Sequence, residues 1–402
     1  MYKILAAGIA SLMIALGISR FAYTPMMPLM KSDFHITNIL EGNLASVNYA
    51  GYFAGAVLSV ILARHIGYKM LLANLSINVL TTLAMGLTSS HLLWFILRFC
   101  SGFSSAFIFV AASAIVLDKL IEMKNIHPFG YIYGGVGIGI VMTAVAIPVF
   151  NYIGGVQASW IGLGILSLFL CIFPLMWLKK DTSIHDYAAS DEILPEIVKN
   201  SGEKIMQNTG FKKINLVKFD NNTIKLMIAY GLFGTGYIIM GTFMVEMMQE
   251  ITHNFYFGIT AWLVVGIAAT PSTVFWTIFG KSRGNLTALK LAFSLQIAGL
   301  IISLTSKNLI MLYAGAFFFG LTFMGIVTLA ISLGKQLYKG HSTKLVGYLT
   351  AFFGLGQIIG PVSGGYAAKY FGNFKYMMIA AVIVLTVALI LLFSIKHKNE
   401  RL

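Results

Sequence analysis

Charge is what this chain has least of. Asp, Glu, Lys and Arg together make up 10% of its residues, hydrophobic residues 58%, and mean hydropathy is +0.82. A soluble protein of this length cannot clothe its surface with so few charges. Cysteine is equally scarce. Cys100 and Cys171 both lie in apolar runs, which excludes a disulfide framework and a cysteine metal site and leaves two buried thiols. No metal-ligand spacing, nucleophile elbow or catalytic triad occurs, so the chain is read as not an enzyme, with no cofactor. His35, His65 and His127 fall in expected loops. The apolar start of the chain has no small-residue cleavage site and reads as a first membrane helix, not a signal peptide.

Long apolar runs are abundant. Twelve candidate spans lie near 4–29, 42–63, 70–88, 92–117, 129–150, 158–178, 224–248, 257–279, 287–305, 308–333, 343–367 and 375–395. A helix needs about 20 residues to cross ~30 Å of hydrocarbon. Residues 179–223 differ, holding seven Lys and seven acids, and divide the spans six and six. The expected fold is an all-α integral membrane protein of twelve transmembrane helices in two pseudo-symmetric six-helix bundles, residues 1–178 and 224–402. A cytoplasmic linker, 179–223, joins them, with a short amphipathic helix around Glu192–Gln207.

The net charge of +14 raises the question of nucleic acid, but its distribution answers it. With the N-terminus in the cytoplasm, inner segments carry 22 Lys and Arg and outer loops four, Lys31, Lys307, Lys369 and Lys375. That is a positive-inside pattern for an inner-membrane protein with both termini cytoplasmic, and no nucleic-acid partner is needed. The halves also repeat. At a constant offset of 217 residues Gly17 matches Gly234, Asp33 matches Glu250, Gly130-Tyr131 matches Gly347-Tyr348, Gly137 and Gly139 match Gly354 and Gly356, and Gly155 matches Gly372. Parallel repeats predict a pseudo-two-fold axis along the membrane normal and a polar site between the halves.

Two arginines, Arg20 and Arg98, stand inside apolar spans. Arginine at a helix centre costs about 2.5–3.5 kcal/mol on the insertion scale, so it belongs in a protein interior or a wet cavity. The bland alternative is snorkelling to the outer headgroups. The functional one is a cation that holds an anionic substrate or biases a nearby acid. Of 14 acids none falls mid-membrane, which disfavours an exporter of organic cations. By elimination Glu246 and Glu41, at outer span ends, are the leading proton carriers, with Asp118 third; the plain reading of Glu41 is an exposed charge at a helix start. Asp33 and Glu250 read as outer-loop residues. Pro25 and Pro28 predict a kink at the outer end of the first helix, just beyond Arg20. Asn48 needs a partner, either a neighbouring helix or a ligand. Tyr23, Tyr49, Tyr52, Tyr131, Tyr133, Tyr237, Gln296 and Gln357 are further polar candidates whose helix faces the pattern leaves open; Trp160, Trp262 and Trp276 read as packing residues. The Gly134–Gly139 run follows no strand and reads as close helix packing, not a nucleotide loop.

The runs Gly17-Ile18-Ser19-Arg20-Phe21-Ala22-Tyr23-Thr24-Pro25 and Gly42-Asn43-Leu44-Ala45-Ser46-Val47-Asn48-Tyr49-Ala50-Gly51-Tyr52 resemble the major facilitator superfamily, and within it the YbfB/YjiJ-type branch, over the whole chain. The resemblance implies secondary transport and no particular substrate. Arg98 with Gly102 and Ala106 is similar to the fourth-helix motif whose arginine is linked to proton coupling, with Ser101 in place of the usual Gln. Gly130, Gly134 and Gly139, and Gly356–Pro361 with Gly360, are similar to the glycine-rich helices that let the halves rock. Arg64 stands where members usually carry Asp. The expectation is a monomeric secondary active transporter, proton-coupled, for a small anionic or carboxylate-bearing metabolite. Arg20, Tyr23, Asn48, Tyr49, Arg98, Tyr237 and Gln357 would line its site, and Arg98, Glu246 and Glu41 would carry coupling. The alternatives are a multidrug or siderophore-type exporter, or a non-transporting membrane sensor.

Overall fold

A computed structural model describes residues 1–62, 66–125, 127–178, 219–338 and 342–395, and among them no strand occurs. The first membrane segment is α1 (Tyr2–Leu12), a π-helical stretch Met13–Ile18, and α2 (Tyr23–Phe34). Then come α3 (Asn38–Ile61), α4 (Tyr68–Met85), α5 (His91–Glu122), a 3₁₀ turn His127–Tyr133, α6 (Gly134–Leu170) and α7 (Ile172–Trp177). The second half holds α8 (Asn221–Thr252), α9 (Phe255–Arg283), α10 (Asn285–Thr305), α11 (Leu309–Leu337), α12 (Ser342–Phe371) and α13 (Lys375–Phe393). Asp220 caps α8 by accepting from the Thr223 amide at 3.3 Å, so the helix begins before the expected end of the linker. The linker helix at 192–207, together with Arg64 and His65, lies outside the described residues.

Nine segments among the described residues are long and apolar enough to cross a bilayer. One of them, Pro128–Trp177, has 50 residues, about 75 Å of helix at 1.5 Å per residue, more than twice the hydrocarbon thickness. It folds back at Gly154 and Gly155, where the backbone leaves helical geometry, and so supplies two arms. Helix α4 falls outside the nine, its apolar run interrupted by Asn74, Asn78, Thr81 and Thr82, and α3, which carries Asn43, Ser46 and Asn48, is not among them. Their lengths, 24 and 18 residues, still fit the expected two-bundle arrangement.

Packing carries the repeat. α5 packs on α3 and α4 as α11 packs on α9 and α10. The halves meet along two seams, α3 against α12 and α6 against α9. Gly155 and its 217-offset mate Gly372 both take positive φ, 68° and 71°, at the same chain reversal. A methyl added to Gly137 would strike the Thr270 backbone, and one added to Gly354 would strike Phe53; both members of each pair are related by the same 217 offset. Thr24 Oγ1 donates to the Gly241 carbonyl, its own mate, at 2.6 Å. A residue touches its mate only beside the symmetry axis, so the axis runs between α2 and α8.

Candidate functional site

The site begins with a broken helix. Pro25 has no amide hydrogen, and its ring clashes with the carbonyl of Phe21, so the helical ladder upstream must rearrange. It does so as a π-stretch: Ser19 N bonds Ile14 O and Phe21 N bonds Leu16 O, each at 3.0 Å. The distortion therefore precedes and includes Arg20, and does not lie beyond it as expected from the prolines.

Both arginines are buried, Arg20 at 5% exposure and Arg98 at 1%, which removes the snorkelling alternative. Arg98 Nη1 donates to Ser19 O at 3.0 Å and Nε to Leu44 O at 3.4 Å, and its Cζ lies 4.3 Å from the Tyr23 ring centre. Arg98 thus ties α5 to the loosened backbone of the first segment and to α3. Arg20 lies between two rings, Cζ 4.6 Å from Tyr49 and 4.5 Å from Tyr52. Its Nε and Nη2 are buried and find no acceptor among the described residues; Arg98 Nη2 is in the same condition. Cation–π contact favours the charge but leaves N–H groups unsatisfied. A polar lattice supports the pair: Ser19 and Ser101 hydroxyls meet at 2.5 Å, Ser105 donates to Ala15 O at 2.7 Å, and Asn78 Nδ2 reaches Ser104 and Ser105 at 3.0 Å each. Asn48 Nδ2 donates to Arg98 O at 2.8 Å, so its amide is committed to α5, while Oδ1 stays unpartnered.

The opposite wall is neutral. Tyr237, the 217-offset mate of Arg20, is bonded to Gln357 Nε2 through its hydroxyl and stacks on Phe233, Phe323 and Phe353. Phe21 crosses the gap, its ring centre 5.9 Å from Phe323 and 6.4 Å from Trp262.

One end of the site is sealed by charge. Lys31 pairs with Glu246 of α8 and lies 3.8 Å from Glu41 of α3. Glu41 is buried with both carboxylate oxygens unpartnered by hydrogen bonds, which corrects the expectation of an exposed helix-start charge. Glu246 is buried too, with Oε2 free. Glu250 belongs to α8 and Asp33 to the end of α2, so neither is a loop residue. Ser46 Oγ, donating to Ile358 O at 2.8 Å, and Gly42, against the Pro361 carbonyl, close the same region.

A family model described as "Uncharacterised MFS-type transporter YbfB" matches residues 12–200 and 208–393. The chain belongs to this family of major facilitator transporters. It is also similar to the uncharacterized MFS-type transporter YceJ of Bacillus subtilis (strain 168), 27% identical over 99 residues, which span 24% of this chain and only a quarter (25%) of that relative. Two crystal structures of the nucleoside transporter NupG share the fold. The first has a TM-score of 0.72 at 13% identity over 98% of each chain. The second, a point mutant, has 0.71 at 12%, over 98% of this chain and 99% of that one. The chain is a multi-pass membrane protein of a transporter family.

In this major facilitator frame the expected gating residues separate into three groups. Gly134, near the Thr270 carbonyl, and Pro361, against Gly42, lie on the seams between halves. Gly139 meets Gly17, and Gly360 meets Thr235 and Ile238, inside one half. Gly130 falls in the 3₁₀ turn and has nothing within 4 Å of where a methyl would go, so it forms no packing surface. Lys31 was legible only as an outer-loop charge, although the 217 register places it opposite position 248, beside Glu246. The ring wall had a signal as well: Tyr230, Phe233 and Tyr237 share a helix face by their spacing, as do Phe319 and Phe323.

Proposed function

We propose that this transporter is a monomeric secondary active carrier that moves a small anionic, carboxylate-bearing metabolite across the cytoplasmic membrane by alternating access, coupled to protons. One observation carries the reading: a buried guanidinium, Arg20, with two donor nitrogens, Nε and Nη2, that find no acceptor among the described residues, faces a wall without charge. A carboxylate satisfies a planar guanidinium in a way a neutral solute cannot. With both termini cytoplasmic, the Lys31 end is the outer face, and the described conformation is closed there. Lys31 stands between an acid of its own half, Glu41, and one of the other, Glu246. A proton on Glu246 would leave Lys31 to Glu41 and release the latch between halves, which couples the proton to opening. Arg98 fixes the backbone of Ser19 next to Arg20 and so links α5 to the substrate site.

The test is uptake into proteoliposomes of radiolabelled small carboxylates and of uridine, with and without an imposed pH gradient. The reading expects carboxylate uptake driven by the gradient. It also expects Arg20→Gln to raise the half-saturation concentration about ten- to hundredfold, the equivalent of one charged hydrogen bond. Uridine uptake indifferent to Arg20→Gln would favour instead a nucleoside-like solute, the second reading that the likeness to NupG supports.

A further inference from the structure

Six rings of the second half lie nearly parallel. Tyr230, Phe233 and Tyr237 on α8, Phe319 and Phe323 on α11, and Phe353 on α12 stack at interplanar angles between 7° and 18°. Ring pairs elsewhere are mixed: Phe34–Trp94, Phe219–Tyr348 and Phe275–Trp276 meet edge-on, whereas Phe275–Phe279 stacks at 18° as an isolated pair. Apolar packing alone gives offset and edge-on geometries in mixture. A common ring orientation held by three helices presents aligned π-faces. The stack is also anchored, because Gln357 fixes the Tyr237 hydroxyl.

Among the ring pairs of the described residues, the cationic half meets this stack through Phe21. Phe21 meets Phe323 edge-on, 75° between planes. The Arg20 Cζ lies 5.5 Å from the Phe21 ring. One side chain therefore separates the stack from the unpartnered Nε and Nη2 of Arg20. Trp262 Nε1, a second buried donor without an acceptor among the described residues, belongs to the ring on the other side of Phe21.

Resting on the anion reading above, we propose that the substrate is an aromatic carboxylate: its planar ring takes the place of Phe21 on the stack, and its carboxylate accepts from Arg20. The two recognition elements sit on different halves, so such a ligand spans the gap that must close and reopen during transport. An aliphatic acid satisfies Arg20 but gains nothing from the ring faces. A neutral ring gains the faces and leaves the guanidinium unsatisfied.

Benzoate, cyclohexanecarboxylate and uridine separate these terms, since the first two share charge and size and differ in the π-face. Titrated into the purified full-length protein by calorimetry, benzoate is expected to bind at least about tenfold more tightly than cyclohexanecarboxylate, with uridine weaker than benzoate. Phe323→Leu is expected to erase the benzoate advantage while leaving cyclohexanecarboxylate within about twofold. The wild-type comparison stands whether or not the variant folds. Equal affinity for the two carboxylates would overturn the aromatic assignment and leave the anion reading intact. Uridine binding without carboxylate binding, or no saturable binding of either carboxylate, would overturn both.

Discussion

Position 20 in the first half and position 237 in the second are related by the repeat, yet one is a buried arginine and the other a tyrosine. Around Arg20 the side chains are Tyr49, Tyr52 and Phe21; around Tyr237 they are Phe233, Phe319, Phe323 and Phe353. The scaffold is kept nearly symmetric, down to matched positive-φ glycines, while the chemistry is not. Rocking needs equivalent seams on both sides of the axis, so the backbone is constrained twice over. Recognition of one small solute needs no cation at position 237, and a guanidinium buried there would add a desolvation penalty of several kcal/mol with nothing to offset it.

That contrast is breakable. The largest effect is expected at Arg98, the strut of the charged half. Arg98→Ala leaves Ser19 O and Leu44 O without their donor and should abolish transport at equal membrane abundance; Arg98→Lys keeps the charge but loses the fork and should still lose about tenfold or more. Wild-type uptake by Arg98→Ala would show the strut to be dispensable. Next comes Glu246→Gln. It removes the charge that holds Lys31 across the halves and should make uptake insensitive to an imposed pH gradient, read in proteoliposomes, while raising labelling of single cysteines placed near Asn38 and Thr252.

Smaller effects sharpen the symmetric side of the comparison. Gly137→Ala pushes a methyl into the Thr270 backbone, whereas its mate Gly354→Ala meets the side chain of Phe53 at 2.6 Å. Backbone cannot yield as a ring can, so Gly137→Ala should destabilise by about 1–3 kcal/mol and Gly354→Ala by clearly less, measured as thermal stability in detergent. Equal losses would mean that Phe53 is as fixed as backbone. Smallest is Gly130→Ala, expected within about 0.5 kcal/mol of wild type and with normal uptake, because open space surrounds it.

Much of the frame was legible before any coordinates. Apolar runs of membrane length, the 217 register and the buried character of both arginines all follow from residue order, because in hydrocarbon every backbone group must be satisfied within its own helix. The acids were the weaker reading. Glu41 looked like an exposed charge because the pattern of its own helix says nothing of Lys31 and Glu246, which approach it from other segments. Gly130 was grouped with Gly134 and Gly139 by spacing, but the helix starts only at Gly134. The kink at Pro25 was foreseen and misplaced: proline marks where a hydrogen bond is missing, and the π-turns form further upstream, on the Ile14 and Leu16 carbonyls.

The sequence by itself determined class, family and repeat, since these rest on hydropathy and spacing along one dimension. Tertiary structure alone decided which groups share a site. It placed Lys31 between two acids, put Arg20 beside Tyr49, Tyr52 and Phe21, and brought six rings from three helices into one orientation. Each of those depends on how helices rotate and pack against one another, and rotation about a helix axis is the coordinate that a chain apolar on nearly every face leaves least specified.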